Sequence, residues 1–379
     1  MESTESINMN KNQFKTGKSE MNSATSKKRE MKIGKHVIND QSPCYVIAEI
    51  GHNHKGDVQV CKQLFDAAKE AGAQAVKLQK RNNKTMYTKA MYDQPYTSEN
   101  AYGPTYGSHR DALEFGWEQY VELKTYAEKL DMDFFSTAFD VESADFLDKL
   151  GVPAYKMASG DLKSIPLLRH VAKKGKPMII STGGGTLEDV VRAFETIYPI
   201  NQQLAILQCT ASYPASYEEL NLNVIKTFRE KFPEVVIGLS AHDNGIAMAV
   251  GAYVLGARVV EKHFTINRAW RGTDHAFSLE PVGLKKMVRD LERVRVALGN
   301  GVKDTYPGEK SPLLKMGKKL VAAKNLKAGH VLQDSDLCLK SPADGMSPIY
   351  YDKILGQKLL KDLPEEGDLS FEILSPLHD

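Results

Sequence analysis

Between Tyr45 and His263 the chain alternates short apolar runs with longer amphipathic stretches. The runs are YVIAEI, QAVKLQ, MDFFST, AYKM, PMIIST, LAILQC, VVIGLS and RVVEKH, each of strand length and apolar enough to read as a buried parallel strand. Stretches such as VCKQLFDAAKEAG, QYVELKTYAEKL, EDVVRAFETIY and GIAMAVGAYVLG stand between them with helical spacing. Eight strands alternating with helices over about 250 residues predict an α/β fold, the (β/α)8 TIM barrel. A doubly wound open sheet is the runner-up, but no GxGxxG follows the first strand.

Polarity marks the boundaries. Residues 1–30 are rich in Ser, Asn, Lys and Glu and almost lack branched apolar residues, which predicts a flexible tail ahead of a barrel over 31–300. A targeting peptide is the alternative reading, against which stand the glutamates and the missing amphipathic arginine pattern. GNGVKDTYPGEKSP marks a linker at 301–312, and 313–379 carries short strands broken by turn residues, the pattern of a compact β-rich domain. An insertion from about Arg81 to Phe115, rich in Tyr, Gly and Pro, follows the second strand and is expected to cover the barrel mouth.

Composition narrows the function. The 379 residues are 42% hydrophobic, and 50 basic against 48 acidic residues leave a formal charge of +2, so no basic field argues for nucleic acid or a membrane surface. No run approaches a membrane span, and Cys44, Cys61, Cys209 and Cys338 form no CxxC pattern; reduced thiols in a cytoplasmic protein are expected.

The candidate chemistry lies at strand ends, which in a barrel meet around one pocket. His242 and His263 close consecutive strands, with Glu261 two residues before the second. A lone core histidine is ordinarily a hydrogen-bonded structural residue, but two at equivalent positions can hold a divalent metal. At the first strand end AEIGHNHKG offers Glu49, His52, Asn53 and His54, of which Glu49 suits acid/base or outer-shell work and Asn53 and His54 suit capping of the next helix. Lys77 and Lys156 interrupt apolar strands, and a buried ammonium calls for an anion: a bound phosphate or carboxylate, or for Lys77 a salt bridge to Glu49. A Schiff-base role is the other possibility for either lysine. Thr137, Ser159, Gly160, Ser181, Thr182, Gly183, Gly184, Gly185 and Ser240 recur at the same level, where hydroxyls and backbone N–H groups can meet phosphate oxygens. WRGTDHAFSLEP places Trp270, Arg271, Asp274 and His275 just after the last strand, a polar, aromatic loop suited to sugar hydroxyls.

Together AEIGHNHKG, VKLQK, TYGSHRDALEF, YKMASGD, STGGG, QCTASYP, GLSAH, VEKHF and GTDHAFSLEP resemble the sialic acid synthase family, and LVAAKNLKAGHVLQDSDL resembles its C-terminal antifreeze-like (SAF) domain. The resemblance implies condensation of phosphoenolpyruvate with an open-chain N-acylated mannosamine, giving a nine-carbon α-keto acid and phosphate. It implies Mn2+ or Mg2+ on His242 and His263, orienting the aldehyde and activating a water. It places Lys77, Thr137, Lys156, Ser159, Ser181 and Ser240 on phosphoenolpyruvate. Glu49 and Glu261 become candidates for proton transfer, and Ser212, Tyr213 and Asp274 become sugar contacts. A domain-swapped homodimer is implied as well, with one chain's C-terminal domain capping the partner's site.

The chain departs from the family at Ser212, where some bacterial members carry Asn, and at Ser341, where many carry an Arg that reaches the N-acyl group. Free N-acetylmannosamine is the expected acceptor. The 6-phosphorylated sugar of the animal-type enzymes is the alternative, with His109, Arg110 and Arg271 as its phosphate contacts. A different metal-dependent barrel lyase or hydrolase, or a non-catalytic binding module, are the readings of other classes.

Overall fold

A computed structural model describes residues 28–376. Its first element is a hairpin of β1 (Glu30–Ile33) and β2 (His36–Asn39), turned at Gly34 with φ +52°. Met31, Ile33 and Ile38 are fully buried in the barrel's core cluster, and Arg29 Nε donates to the carbonyl of Val235 at 2.8 Å. Arg29 and Glu30 thus belong to the fold, and residues 1–27, which hold the rest of the expected tail, lie outside the described residues.

Eight strands close the barrel: β3 (Tyr45–Gly51), β4 (Ala75–Lys80), β5 (Asp133–Ala138), β6 (Tyr155–Met157), β7 (Met178–Ser181), β8 (Leu204–Cys209), β9 (Val236–Ala241) and β10 (Val259–His263). All neighbours are parallel and consecutive, and β10 returns to pair with β3, so the open-sheet alternative falls. A helix follows each strand. The first, Val58–Ala71, buries Cys61, Leu64, Phe65, Ala68 and Ala71 on one face. Asp57 caps it by accepting from Gln59 N at 2.7 Å and Val60 N at 3.1 Å, and Gly72, at φ +90°, ends it.

The cap corrects the expectation for Asn53 and His54. Asn53 is buried and its Nδ2 donates to the Phe264 carbonyl at 2.9 Å and to Ser278 Oγ at 3.0 Å, while the His54 ring stacks on Phe115 at 4.2 Å. Both tie the first strand's loop to its neighbours instead of capping a helix.

The chain divides into two compact units between Leu298 and Gly299. In the second unit, helix Lys310–Met316 runs through the expected linker boundary, and β11 (Lys319–Ala322) pairs antiparallel with β12 (Leu337–Lys340). Its own core gathers Leu320, Leu326, Leu332, Ile354, Leu359 and Leu369. All four cysteines are free thiols. Among the described residues no helix is long and apolar enough to cross a membrane.

Candidate active site

Twelve of the thirteen expected site residues line one cavity of about 520 Å³ at the C-terminal ends of the strands. Period-two alternation puts them there. Glu49, Lys77, Lys156 and Glu261 point inward from β3, β4, β6 and β10, whereas the adjacent Lys262 points away and pairs with Asp243 at 2.9 Å.

The floor carries two lysines and two glutamates. Lys77, 1% exposed, lies 2.6 Å from Glu49 Oε2 and donates to Thr137 Oγ1 at 2.6 Å. Gln79 Nε2 donates to Glu49 Oε1 at 2.8 Å. Lys156, 3% exposed, donates to Ser181 Oγ at 2.6 Å and to the Met157 carbonyl at 3.0 Å, and stands 3.6 Å from Glu261 Oε1. Ser240 Oγ donates to Glu261 at 3.2 Å. The salt bridge foreseen between Lys77 and Glu49 is thus present.

Burial lifts the Glu49 carboxyl to about 6, against the pull of Lys77 and with the push of Glu261. Burial acts on Glu261 in the same sense, but Lys156 and Lys77 outweigh it and hold that carboxyl below its ordinary value. Burial lowers Lys156, with Glu261 opposing. One carboxyl is therefore poised near neutrality and the other stays ionised.

Above this floor the His242 and His263 rings lie 5.4 Å apart, and Tyr213 packs on His242 at 4.2 Å. His242 Nδ1 contacts the Thr210 carbonyl at 2.7 Å; a carbonyl only accepts, so Nδ1 donates there, which leaves Nε2 as the nitrogen that could face a metal. His263 Nδ1 and Glu261 Oε2 are buried without a hydrogen-bond partner, and Asp274 Oδ2 lies 3.7 Å from the former. A pair of neighbouring imidazoles, one with an unpartnered nitrogen, beside carboxylates fits a borderline or hard divalent cation. Among the described residues no three His, Cys, Asp or Glu side chains gather as a complete cage.

Ser212 is the thirteenth residue. It faces the neighbouring groove, where its Oγ donates to Glu219 at 3.3 Å, and Ala211 takes the place on the cavity wall. Past a strand end, alternation no longer fixes which side chain turns inward. The groups proposed for a second phosphate divide likewise. Arg110 lines the cavity, His109 is buried behind it accepting from Tyr102 N at 3.0 Å, and Arg271 donates to the Glu99 carbonyl at 3.0 Å outside the lining. His275 is buried against Thr265 Oγ1 at 2.7 Å.

The insertion does roof the mouth. Helix Tyr106–Asp111 supplies Arg110, and Tyr102 Oη donates to the Arg271 carbonyl at 2.8 Å, tying the insertion to the loop after β10. Sequence reasoning missed Gln79, Arg81 and Cys209 on the wall. Gln79 and Arg81 were signalled by the i, i+2, i+4 spacing from Lys77; Cys209, at 3.4 Å from Ser159 Oγ, carried no signal beyond its strand-end position.

Buried lysine–carboxylate pairs beneath a histidine pair, at the catalytic end of a closed barrel, define an anion-handling α/β-barrel enzyme. The NeuB family model matches residues 64–303 and the SAF domain model residues 319–366. The chain belongs to the NeuB family. It is 38% identical over 338 residues to N-acetylneuraminate-9-phosphate synthase of Homo sapiens, spanning 89% of this chain and 94% of that protein. It is 36% identical to N,N'-diacetyllegionaminic acid synthase of Legionella pneumophila, spanning 87% and 94%. A crystal structure of N-acetylneuraminic acid synthetase from Leptospira borgpetersenii in complex with citrate aligns with a TM-score of 0.66 at 31% identity, over 76% of this chain and 95% of that one. The chain is accordingly a phosphoenolpyruvate-dependent, carbon–carbon bond-forming synthase of transferase type.

Proposed function

We propose that the protein condenses phosphoenolpyruvate with the open-chain aldehyde of an N-acylmannosamine, giving a sialic-acid-type nine-carbon α-keto acid and phosphate. The observation that carries this reading is the cavity floor, where Lys77 and Lys156 stand among the hydroxyls of Thr137, Ser159, Ser181 and Ser240. Such a set holds a small, highly charged anion.

C3 of the enol attacks the aldehyde carbon, water adds at C2, and the C2–O bond breaks to release phosphate. The nucleophile belongs to the substrate, so no Schiff base is needed, and Lys77 stays engaged with Glu49. Lys77 and Lys156 neutralise and orient the phosphoenolpyruvate. Glu49, poised near 6, moves the proton that the aldehyde oxygen gains, while Glu261 stays ionised between the two lysines. His242 and His263 would hold the divalent cation, Mn2+ or Mg2+, which when bound supplies Lewis-acid charge to the aldehyde oxygen. Tyr213 and Asp274 border the space left for the sugar.

The reading includes a homodimer in which one chain's C-terminal unit caps the partner's cavity. The exposed Leu313, Leu314 and Met316 on helix Lys310–Met316 supply apolar surface for such an assembly.

The test is phosphate release from phosphoenolpyruvate labelled with 18O at the bridging oxygen, with Mn2+ and with or without N-acylmannosamine. Sugar-dependent release carrying the label into phosphate is expected. Sugar-independent release, or label left in the organic product, would overturn the reading.

A further inference from the structure

Behind the two histidines, outside the cavity, lies a buried ion pair with no part in the reaction proposed above. Lys262 and Asp243 are 2% and 1% exposed. Each is the chain neighbour of one histidine: Asp243 follows His242, and Lys262 precedes His263. Period-two alternation turns Glu261 and His263 into the cavity and Lys262 away from it, and neither Lys262 nor Asp243 lines the cavity.

Packing does not account for this lysine. Val260, two residues earlier on the same face of β10, is fully buried, and an apolar side chain at 262 would serve the same layer. A buried ion pair adds little stability over an apolar pair of similar volume. Asp243 Oδ2, moreover, is buried with no hydrogen-bond partner, which adds to the cost.

What the lysine holds is the chain after β9. The β9–β10 ladder ends at Lys262 opposite Ala241, one residue short of both histidines. Beyond that point the bonds of the two histidines run away from each other. The His242 ring is held by the Thr210 carbonyl at 2.7 Å and its own carbonyl by Ala215 N at 3.1 Å, both from the loop after β8. His263 pairs with Glu49 of β3, and its carbonyl accepts from Leu279 N at 2.8 Å. Lys262 Nζ crosses the gap, donating to the Asp243 carbonyl at 2.6 Å and to Asp243 Oδ1 at 2.9 Å. One ammonium thus fastens the residue after His242 to the residue before His263.

A site built on two imidazoles tolerates errors of only about 0.5 Å in their placement. We propose that Lys262 and Asp243 are positioning residues for the metal-binding histidines: from behind, their bonds set the 5.4 Å separation and 55° angle of the His242 and His263 rings. This rests on the metal role given above to those histidines.

The experiment measures the Kd for Mn2+ by EPR titration of the full chain without substrates, together with the urea midpoint in chelator. It covers the wild type, Lys262→Met, Lys262→Arg, the double variant Lys262→Met/Asp243→Leu, and His242→Ala. Lys262→Met should weaken Mn2+ binding about 10- to 100-fold, the range for residues that orient metal ligands. Lys262→Arg, which keeps donors for both oxygens, should recover part of that loss. The double variant leaves no charge buried alone, so its urea midpoint should return close to wild type while Mn2+ binding stays weak. An unchanged Kd in Lys262→Met would overturn the proposal, as would a double variant that regains wild-type Mn2+ affinity along with its stability. Should Lys262→Met not fold, the double variant carries the same test. Wild-type Mn2+ affinity in His242→Ala would remove the metal role of the histidines and the positioning role with it.

Discussion

Lys77→Met removes a buried ammonium while keeping the aliphatic stem, so its cost is electrostatic and can be worked from the site. Lys77 is 2.6 Å from Glu49, whose carboxyl rests at about 6 against an ordinary 4.5. At 1.36 kcal/mol per unit, keeping that carboxyl in the fold at pH 7 costs about 2 kcal/mol in the wild type. Without the ammonium it becomes protonated in the folded state, and the cost rises to about 3.4 kcal/mol, the work of neutralising a group that ionises at 4.5. Titration therefore adds about 1.4 kcal/mol, and the lost hydrogen bond to Thr137 adds about 1.

A folded-state pKa above the unfolded value makes the penalty grow as pH rises. At pH 5 the wild type and the variant both carry the proton, and the titration difference vanishes. Urea unfolding in chelator-containing buffer should show a loss of about 2.5 kcal/mol at pH 7 and about 1 at pH 5. Adding Glu49→Gln should recover most of the pH 7 loss. An equal loss at both pH values, with no recovery in the double variant, would refute the buried-pair account.

His242→Ala and His263→Ala should each lower metal-supported phosphate release about 100-fold or more while the melting curve stays near wild type; wild-type turnover in either would remove the proposed metal role. Gly183→Ala would place a Cβ 2.8 Å from Ala211 Cβ and 2.9 Å from Ser159 Oγ, so steady-state kinetics should show the KM for phosphoenolpyruvate raised 10- to 100-fold, roughly the effect of a 1 Å misplacement. In the C-terminal unit, burial pushes Asp336 up, but Lys324 at 2.8 Å and His330 at 2.6 Å prevail and hold it at about 2. That stabilisation is complete above pH 4 and disappears as pH falls through 2; Asp336→Asn should cost this unit about 1 to 2 kcal/mol at pH 6, read by calorimetry, and little at pH 2.

The barrel was legible because buried parallel strands are continuous apolar runs, and a charge inside one is conspicuous: Lys77, Lys156, Glu49 and Glu261 stood out for that reason. Legibility ended with the strands. Arg81 follows β4 by one residue and read as the start of the insertion, though it continues the inward series of Lys77 and Gln79. Ser212 and Ala211 exchanged places because the chain after β8 no longer alternates. The β1–β2 hairpin was signalled by Met31, Ile33 and Ile38 around Gly34, but a four-residue strand beside a polar tail is too short for period counting to separate. Capping is equally local: Asp57, four residues beyond Asn53, starts the helix only because its carboxylate reaches two free N–H groups.

The floor and the upper wall of the cavity solve the same problem in opposite ways. On the floor each buried lysine has a glutamate, at 2.6 Å for Lys77 and 3.6 Å for Lys156, so opposite charges are matched there. The wall has no such balance: its arginines are held by neutral partners, Gln79, Tyr106 and a histidine that cannot serve both. A balanced floor offsets the desolvation of its own charges. The wall instead leaves the two guanidiniums of Arg81 and Arg110 leaning on the shared imidazole of His52, an arrangement that burial makes costly.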